Sequence, residues 1–324
     1  MRVPSASLVV PLYNKEKFIG RALESAFAQT FEDYEVVVVD DGSTDDSMSV
    51  VAGFSDSRLR VIRQANAGPG AARNAGARSS AAELIAFLDA DDELLPNFLS
   101  RNVANLESRP DCAMSLCTFV RGPGQEVCSG LDGQTIKPGA WRMPADFAPA
   151  SLRNLCFSMH AYGVARRAEF LRLGGYYENR CLLGEDTYLL LQLLLHCRVY
   201  FEPEPLVWYH SENAELCMHY MEDGAADWQA VRKRRPIVPA LSNPEGLRTN
   251  CPPTYRALLE NYLAYEALSE AQTRASVGDF ENAQDLRQRF PAMSAFRYDY
   301  AKLQLKLALP GASQWMSRLK SAAC

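Results

Sequence analysis

The stretch "YEVVVVD" (34–40) constrains the fold more than any other part of the chain. Four successive valines leave no polar face, so a strand here must be covered on both sides. Strands of that kind belong to parallel sheets, whose crossover helices shield both faces. The neighbouring residues supply the rest of such a pattern. "SLVVPL" (7–12), "LRVIRQ" (59–64) and "LIAFLD" (84–89) are further short apolar runs. Between them, "EKFIGRALESAFAQ" (16–29) places Phe18, Ile19, Ala22, Leu23, Ala26 and Phe27 on one helical stripe. Ser43 or Thr44 offers an N-cap for a second helix, and about Pro69 to Ser79 reads as a third. Repeated βα units predict an open, doubly wound sheet that binds ligands at the carboxyl ends of its strands.

Those ends carry unusual polar residues. The first strand finishes in Pro11, Tyr13 and Asn14, the second in Asp40, Asp41, Gly42 and Ser43. The third runs into "NAGPGAARNAG" (66–76), with Asn66, Gly68 and Arg73, and the fourth into Asp89, Asp91 and Asp92. Carboxylates this close repel one another unless a cation sits among them. Carboxylates also accept hydrogen bonds from a base and a ribose, and an arginine reaches a base or a phosphate. Oxygen ligands suit Mg²⁺ or Mn²⁺, which would bridge a diphosphate. The constellation predicts a nucleotide pocket.

Plainer readings exist for each part. Asp-Asp-Gly-Ser after a strand is a common turn and helix cap. Asp89, Asp91 and Asp92 would also serve as caps of the next helix. The glycine-rich loop follows the third strand rather than the first and lacks the third glycine of Gly-x-Gly-x-x-Gly, which argues against dinucleotide binding. The four ends together favour the pocket.

Beyond Asp92 the pattern loosens. A helix is predicted over roughly 96–108 and a strand over 112–120, then a Gly/Pro-rich loop with Trp141 over 121–150. Residues 160–176 read as a strand and a short helix stopped by Gly174-Gly175. "EDTYLLLQLLLHC" (185–197) is a strongly apolar helix, followed by two strand pieces, "RVYFEP" and "PLVWYH". Residues 222–254, with five prolines, read as a linker. From Tyr255 onward the chain predicts helices over 255–274, 279–290, 294–309 and 312–322.

Composition bounds the partners. The net charge of −5 over 324 residues gives no basic field to recruit nucleic acid. Nine scattered cysteines without Cys-x-x-Cys point to reduced thiols. The amino-terminal apolar run is too short for a signal peptide, and no run of about 18 apolar residues occurs. The expectation is a cytoplasmic protein with at most peripheral contact at the inner face of the cell membrane.

"SLVVPLYNKEKFIGRALESAFAQTFEDYEVVVVDDGSTDDS", "NAGPGAARNAG" and "FLDADD" resemble the nucleotide-sugar half of glycosyltransferase family 2. The resemblance covers residues 5–100 closely and extends to about 215 through "GGYYENRCLLGEDTYLLLQL". It implies a GT-A fold: a mixed, largely parallel α/β sheet flanked by helices, here with an α-helical C-terminal appendage. The domains would be a nucleotide-sugar half (1–110), an acceptor half (111–221), the linker (222–254) and the helical region (255–324). It implies that Pro11, Tyr13 and Asn14 form the base-binding loop, that Asp40 contacts uracil with Asp41 beside it, and that Arg73 lies near base and phosphates. Asn66 and Gly68 would line the donor site. Asp89-Ala90-Asp91 matches the family's Asp-x-Asp motif, in which Asp89 reaches ribose or metal and Asp91 binds the metal.

The Glu185-Asp186 pair matches the family's Glu-Asp motif, with Asp186 as general base and Glu185 beside the acceptor. His210 stands where relatives place residues near the diphosphate or metal, while His160, His196 and His219 read as structural. The implied activity is an inverting, Mn²⁺- or Mg²⁺-assisted transfer from a nucleotide sugar, of which UDP is the commonest nucleotide, to a glycan or lipid-linked acceptor. Surface polysaccharide synthesis is the implied setting, and the C-terminal helices are candidates for a homodimer contact. Two other classes are a nucleotidyltransferase, which "PLYNK" disfavours, and a non-catalytic nucleotide-binding scaffold, which the full set of carboxylates disfavours.

Overall fold

The computed structural model describes residues 2–128, 136–179, 184–210 and 238–308. Strands β1 (Ala6–Leu12), β2 (Tyr34–Asp40), β3 (Leu59–Arg63) and β4 (Leu84–Phe87) form a parallel block in the order β3-β2-β1-β4. In its register Val9 lies between Val37 and Phe87. Leu8, Val9, Val10 and the four valines of β2 are fully buried, as the unbroken apolar run requires. Each buried Val or Leu contributes about 1.5–3 kcal/mol by leaving water.

Helices α1 (Ile19–Phe27), α2 (Ser47–Ala52) and α3 (Pro69–Ser79) are the crossovers. The glycines of α3 serve close packing: a Cβ on Gly76 would lie 2.4 Å from Val9 Cγ1 of β1. That is why the glycine-rich segment resembles a dinucleotide loop without being placed like one.

The second half alternates direction. After β5 (Glu93–Leu94) and α4 (Phe98–Ser108) come β6 (Cys112–Arg121), β7 (Glu126–Cys128) and β8 (Gly139–Trp141). Then follow α5 (Pro149–Ser158), β9 (Gly163–Arg166), α6 (Arg167–Arg172), α7 (Glu185–His196) and β10 (Arg198–Tyr209). The sheet continues β4-β9-β6-β10-β5, with β9 antiparallel to both neighbours and β10 parallel to β6. Gly163 is required where β9 meets β6, since a Cβ there would come within 1.9 Å of Ser115 O at φ +154. Phe98, Leu99 and Leu106 of α4 join the same core as Leu8 and Val10.

Two sequence expectations change in this half of the chain. The region 121–150 is not all loop, for β7 and β8 pair with β6 and β10. The two strand pieces are one strand whose register shifts at Pro205, which accommodates prolines that cannot donate to a ladder. Trp141 packs on Phe201, with centroids 5.6 Å apart.

The chain divides into two compact units, Met1–Met143 with Asn154–Ala214, and Pro144–Arg153 with Glu215–Cys324. The second unit contains α8 (Pro239–Ser242), α9 (Pro244–Asn250), α10 (Arg256–Ser276), α11 (Phe280–Arg289) and α12 (Arg297–Ala308). Tyr262, Leu263, Ala267 and Ala271 of α10 form its core. Within the linker expected over 222–254, the described residues form α8 and α9, with Leu241 and Leu247 fully buried. Residues 211–237 and the helix expected over 312–322 lie outside the described residues. No described helix is long and apolar enough to cross a membrane.

Candidate active site

The strand ends of the parallel block meet as the sequence predicts. Pro11 is in β1, opposite Val39, and Tyr13 just beyond it is 47% exposed. Asn14 takes φ +51, a left-handed conformation that asparagine tolerates better than most residues. Its Oδ1 accepts from the Thr44 N–H at 2.8 Å, and its own N–H donates to Ser43 Oγ at 3.2 Å. The first two loops are thus tied together. Asp40 Oδ1 accepts from the Ser43 N–H at 2.9 Å, and Arg63 stands 3.8 Å from Oδ2.

Asp41 faces inward. Its carboxylate accepts from Gln64 Nε2 at 2.7 Å and from the N–H groups of Ala67 and Gly68 at 2.9 and 2.8 Å. Its role is to fix the loop carrying Asn66, which is exposed, and Gly68, at φ +96, ahead of α3.

The acidic turn follows β4. Ala90 is buried, and the carboxylates around it have different partners. Asp91 Oδ2 accepts from Lys15 Nζ at 2.9 Å, and Arg21 Nη2 donates to the Asp91 carbonyl at 2.8 Å. Burial pushes the Asp91 acid up, Lys15 pulls it down and Asp89 pushes it up again. Asp92 is 1% exposed and holds the turn in place. It accepts from the Tyr162 hydroxyl at 2.6 Å and from the His210 N–H at 3.0 Å. The His210 ring stacks on Trp208 and sets Nε2 2.8 Å from Glu93 Oε1, so the structure groups it with Glu93.

Arg73 joins the two halves of the pocket. Its Nη2 donates to Asp89 Oδ1 at 2.5 Å and its Nη1 to Glu185 Oε1 at 3.0 Å. The guanidinium lies over the Tyr176 ring, 4.9 Å from its centroid. Burial opposes its charge, but Asp89, Tyr176 and Glu185 more than compensate and hold its pKa well above the ordinary value. Neighbouring Asn74 binds the Tyr176 carbonyl and N–H at 2.8 and 2.9 Å, clamping α3 to the segment that leads towards α7.

Glu185 and Asp186 begin α7, where the helix dipole favours carboxylates. Asp186 Oδ1 accepts from the Thr187 N–H at 2.7 Å. Burial pushes both acids up; Arg73 pulls both down, and the Thr187 N–H also lowers Asp186. His160, which the sequence assigns to structure, reaches this place too, with Nδ1 3.8 Å from Asp186 Oδ2. Only its φ of +47 is unusual, and a sequence does not display that.

Among the described residues no group of three His, Cys, Asp or Glu side chains is arranged to hold a metal. The donor chemistry still fits a hard divalent cation. Asp89 and Asp91 already attract a guanidinium and an ammonium, and Mg²⁺-type sites use one or two carboxylates plus substrate phosphates. The structure thus brings Asp40, Asp89, Asp91, Arg73, Glu185 and Asp186 to one set of loop ends. Asp41, Asp92 and His210 support those loops.

Known proteins resemble this chain in sequence and in fold. Residues 7–127 match the model of glycosyl transferase family 2. The chain is 36% identical over 231 residues to the succinoglycan biosynthesis protein ExoO of Rhizobium meliloti, covering 66% of this chain and 63% of that one. It is 36% identical over 121 residues to the putative glycosyltransferase EpsH of Bacillus subtilis, covering 37% and 35%. It spans less than two thirds of the length of these curated relatives.

Among solved structures, S. aureus TarS in complex with UDP-GlcNAc matches with a TM-score of 0.57 at 19% identity, over 89% of this chain and 92% of that one. The mannosyltransferase PcManGT of Pyrobaculum calidifontis, in complex with GDP-Man and Mn2+, matches with a TM-score of 0.56 at 19% identity, over 99% and 85%. Both likenesses bear on the fold, which is that of GT-A glycosyltransferases. Residues 7–127 of the chain thus carry the sequence pattern of glycosyl transferase family 2.

Proposed function

We propose that the protein is an inverting glycosyltransferase that moves a sugar from a nucleotide donor, a UDP-sugar by preference, to a glycan or lipid-linked acceptor in polysaccharide synthesis. The observation that carries the proposal is the contact chain from Asp89 through Arg73 to Glu185, with Asp186 next to it. It links the donor-side strand ends to a carboxylate suited to act as a base. UDP-GlcNAc and GDP-Man in the two structural neighbours support a nucleotide sugar, and ExoO supports the polysaccharide setting.

Asp40 and the Tyr13–Asn14 loop would hold the nucleoside. Asp89 and Asp91 would hold Mn²⁺ or Mg²⁺, which when bound supplies Lewis-acid stabilisation of the diphosphate charge. Asp186 takes the proton of the acceptor hydroxyl. Attack opposite the leaving diphosphate, in a single displacement, inverts the anomeric carbon. The Asp186→Asn variant is expected to bind UDP with Mn²⁺ as before while sugar release slows by about 10²–10⁴. Near-normal turnover by that variant would refute the assignment.

A further inference from the structure

We propose that His160 positions the acceptor, its Nδ1 and Asp186 Oδ2 holding the same acceptor hydroxyl oxygen between them. The inference rests on Asp186 as the base. His160 and Ala161 follow α5 with φ +47 and +53, a left-handed pair that residues with a Cβ rarely adopt. This turn aims the His160 ring into the pocket. Aromatic rings of Phe119, Tyr162 and Tyr209 surround it with centroids 5.2, 5.8 and 5.2 Å away, which fixes its plane.

Those contacts alone would be met by a phenylalanine. The imidazole adds a polar atom, and that atom faces the base. The Nδ1–Oδ2 distance of 3.8 Å is too long for a direct hydrogen bond and suits one bridging oxygen. Oδ1 of Asp186 is held by the Thr187 N–H, so Oδ2 is the oxygen turned towards His160. The two side chains are 35% and 24% exposed, so a hydroxyl can reach them.

Burial lowers the His160 pKa, Asp89 and Glu185 raise it and Arg121 lowers it, with the net result downward. The neutral ring donates Nδ1–H without adding charge. In the step, the acceptor O–H proton passes to Asp186 Oδ2 as the oxygen bonds to the anomeric carbon. The bond from that carbon to the diphosphate breaks, its electron pair leaves on the phosphate oxygen, and His160 keeps its proton.

Three variants test this in the full chain. His160→Phe keeps the ring packing, His160→Asn restores a polar group that tolerates left-handed backbone, and His160→Gly relieves the backbone. The readouts are thermal stability, UDP affinity with Mn²⁺, and hydrolysis of UDP-GlcNAc, UDP-glucose and GDP-mannose with water as acceptor. The expected result is unchanged UDP affinity in all three. Hydrolysis should be roughly tenfold or more slower in His160→Phe and His160→Gly, and partly recovered in His160→Asn.

Wild-type hydrolysis by His160→Phe, or by His160→Gly where the phenylalanine variant does not fold, overturns the proposal while an inactive Asp186→Asn leaves the base in place. Near-normal turnover by Asp186→Asn overturns the base assignment beneath it. Absence of hydrolysis by the unaltered protein with every donor contradicts both.

Discussion

Arg73 and Arg274 are both buried and each lies between two carboxylates, yet they belong to different kinds of construction. Arg274 joins Glu270, four residues back on α10, and Asp279, five residues on in the turn before α11, at 2.8 and 2.9 Å. Its partners are local in sequence and serve to close that turn onto α11. Arg73 joins Asp89 and Glu185, which come from a strand end and a helix far apart in the chain. Both of its partners sit in the candidate pocket, and Glu185 is an acid whose pKa burial raises. A buried ion pair is weak evidence of function by itself. What distinguishes Arg73 is that its partners belong to separate loops meeting at one crevice.

Substituting the two arginines should have unlike consequences. Arg73→Met should reduce sugar transfer by about a hundredfold or more, because two carboxylates in the pocket lose their shared cation. Kinetics of UDP release would show it; transfer at the wild-type rate would make Arg73 merely structural. Arg274→Met should leave Mn²⁺-dependent UDP binding unchanged and lower stability by about 3–5 kcal/mol, the cost of unpairing buried charges. Denaturant unfolding followed alongside UDP titration separates the two effects.

Asp186→Asn sharpens the contrast with an effect of opposite sign. Burial raises the folded-state pKa of Asp186 above its unfolded value, so the folded protein binds the proton more readily. Wild-type stability therefore falls as pH rises from the unfolded towards the folded pKa, and the penalty is complete above the latter. The variant lacks that ionisation and should melt higher than wild type at neutral pH, with the gap closing in acid. A melting temperature difference independent of pH would contradict this. The smallest effect is expected at Arg248, which also lies between two carboxylates, Glu245 and Glu260, but in the open. Arg248→Met should cost no more than about 1 kcal/mol, since solvent screens such pairs.

The same contrast explains what the sequence could show. β2 and α3 are legible because their determinants are neighbours: four valines, or small residues repeated along a helix. The loop ends were legible as types of residue, Asp40 and Asp91 among them, because strand order places them together. The pairing of Arg73 with Glu185 was not legible, as it depends on how Asn74 clamps the Tyr176 segment. The sequence does not display the nearness of His160 to Asp186, which arises from a left-handed turn with no glycine to announce it. The sequence divides β10 because Pro203 and Pro205 resemble a break, whereas a register shift carries the strand through. The carboxylates of Asp41 and Asp92 read as part of the acidic pocket, but their lone pairs meet N–H and O–H groups of other segments, Ala67 and Gly68 for Asp41, Tyr162 and His210 for Asp92.

If Asp89 and Asp91 hold a nucleotide diphosphate through a divalent cation, nucleotide binding must depend on the metal and on Asp91. Calorimetric titration of UDP into the protein, with Mn²⁺ and with chelator, and again with Asp91→Asn, tests it most directly. Binding should require Mn²⁺ in the wild type, and the folded variant should lose that metal dependence. Equal UDP affinity with and without Mn²⁺, or undiminished metal dependence in Asp91→Asn, would contradict it.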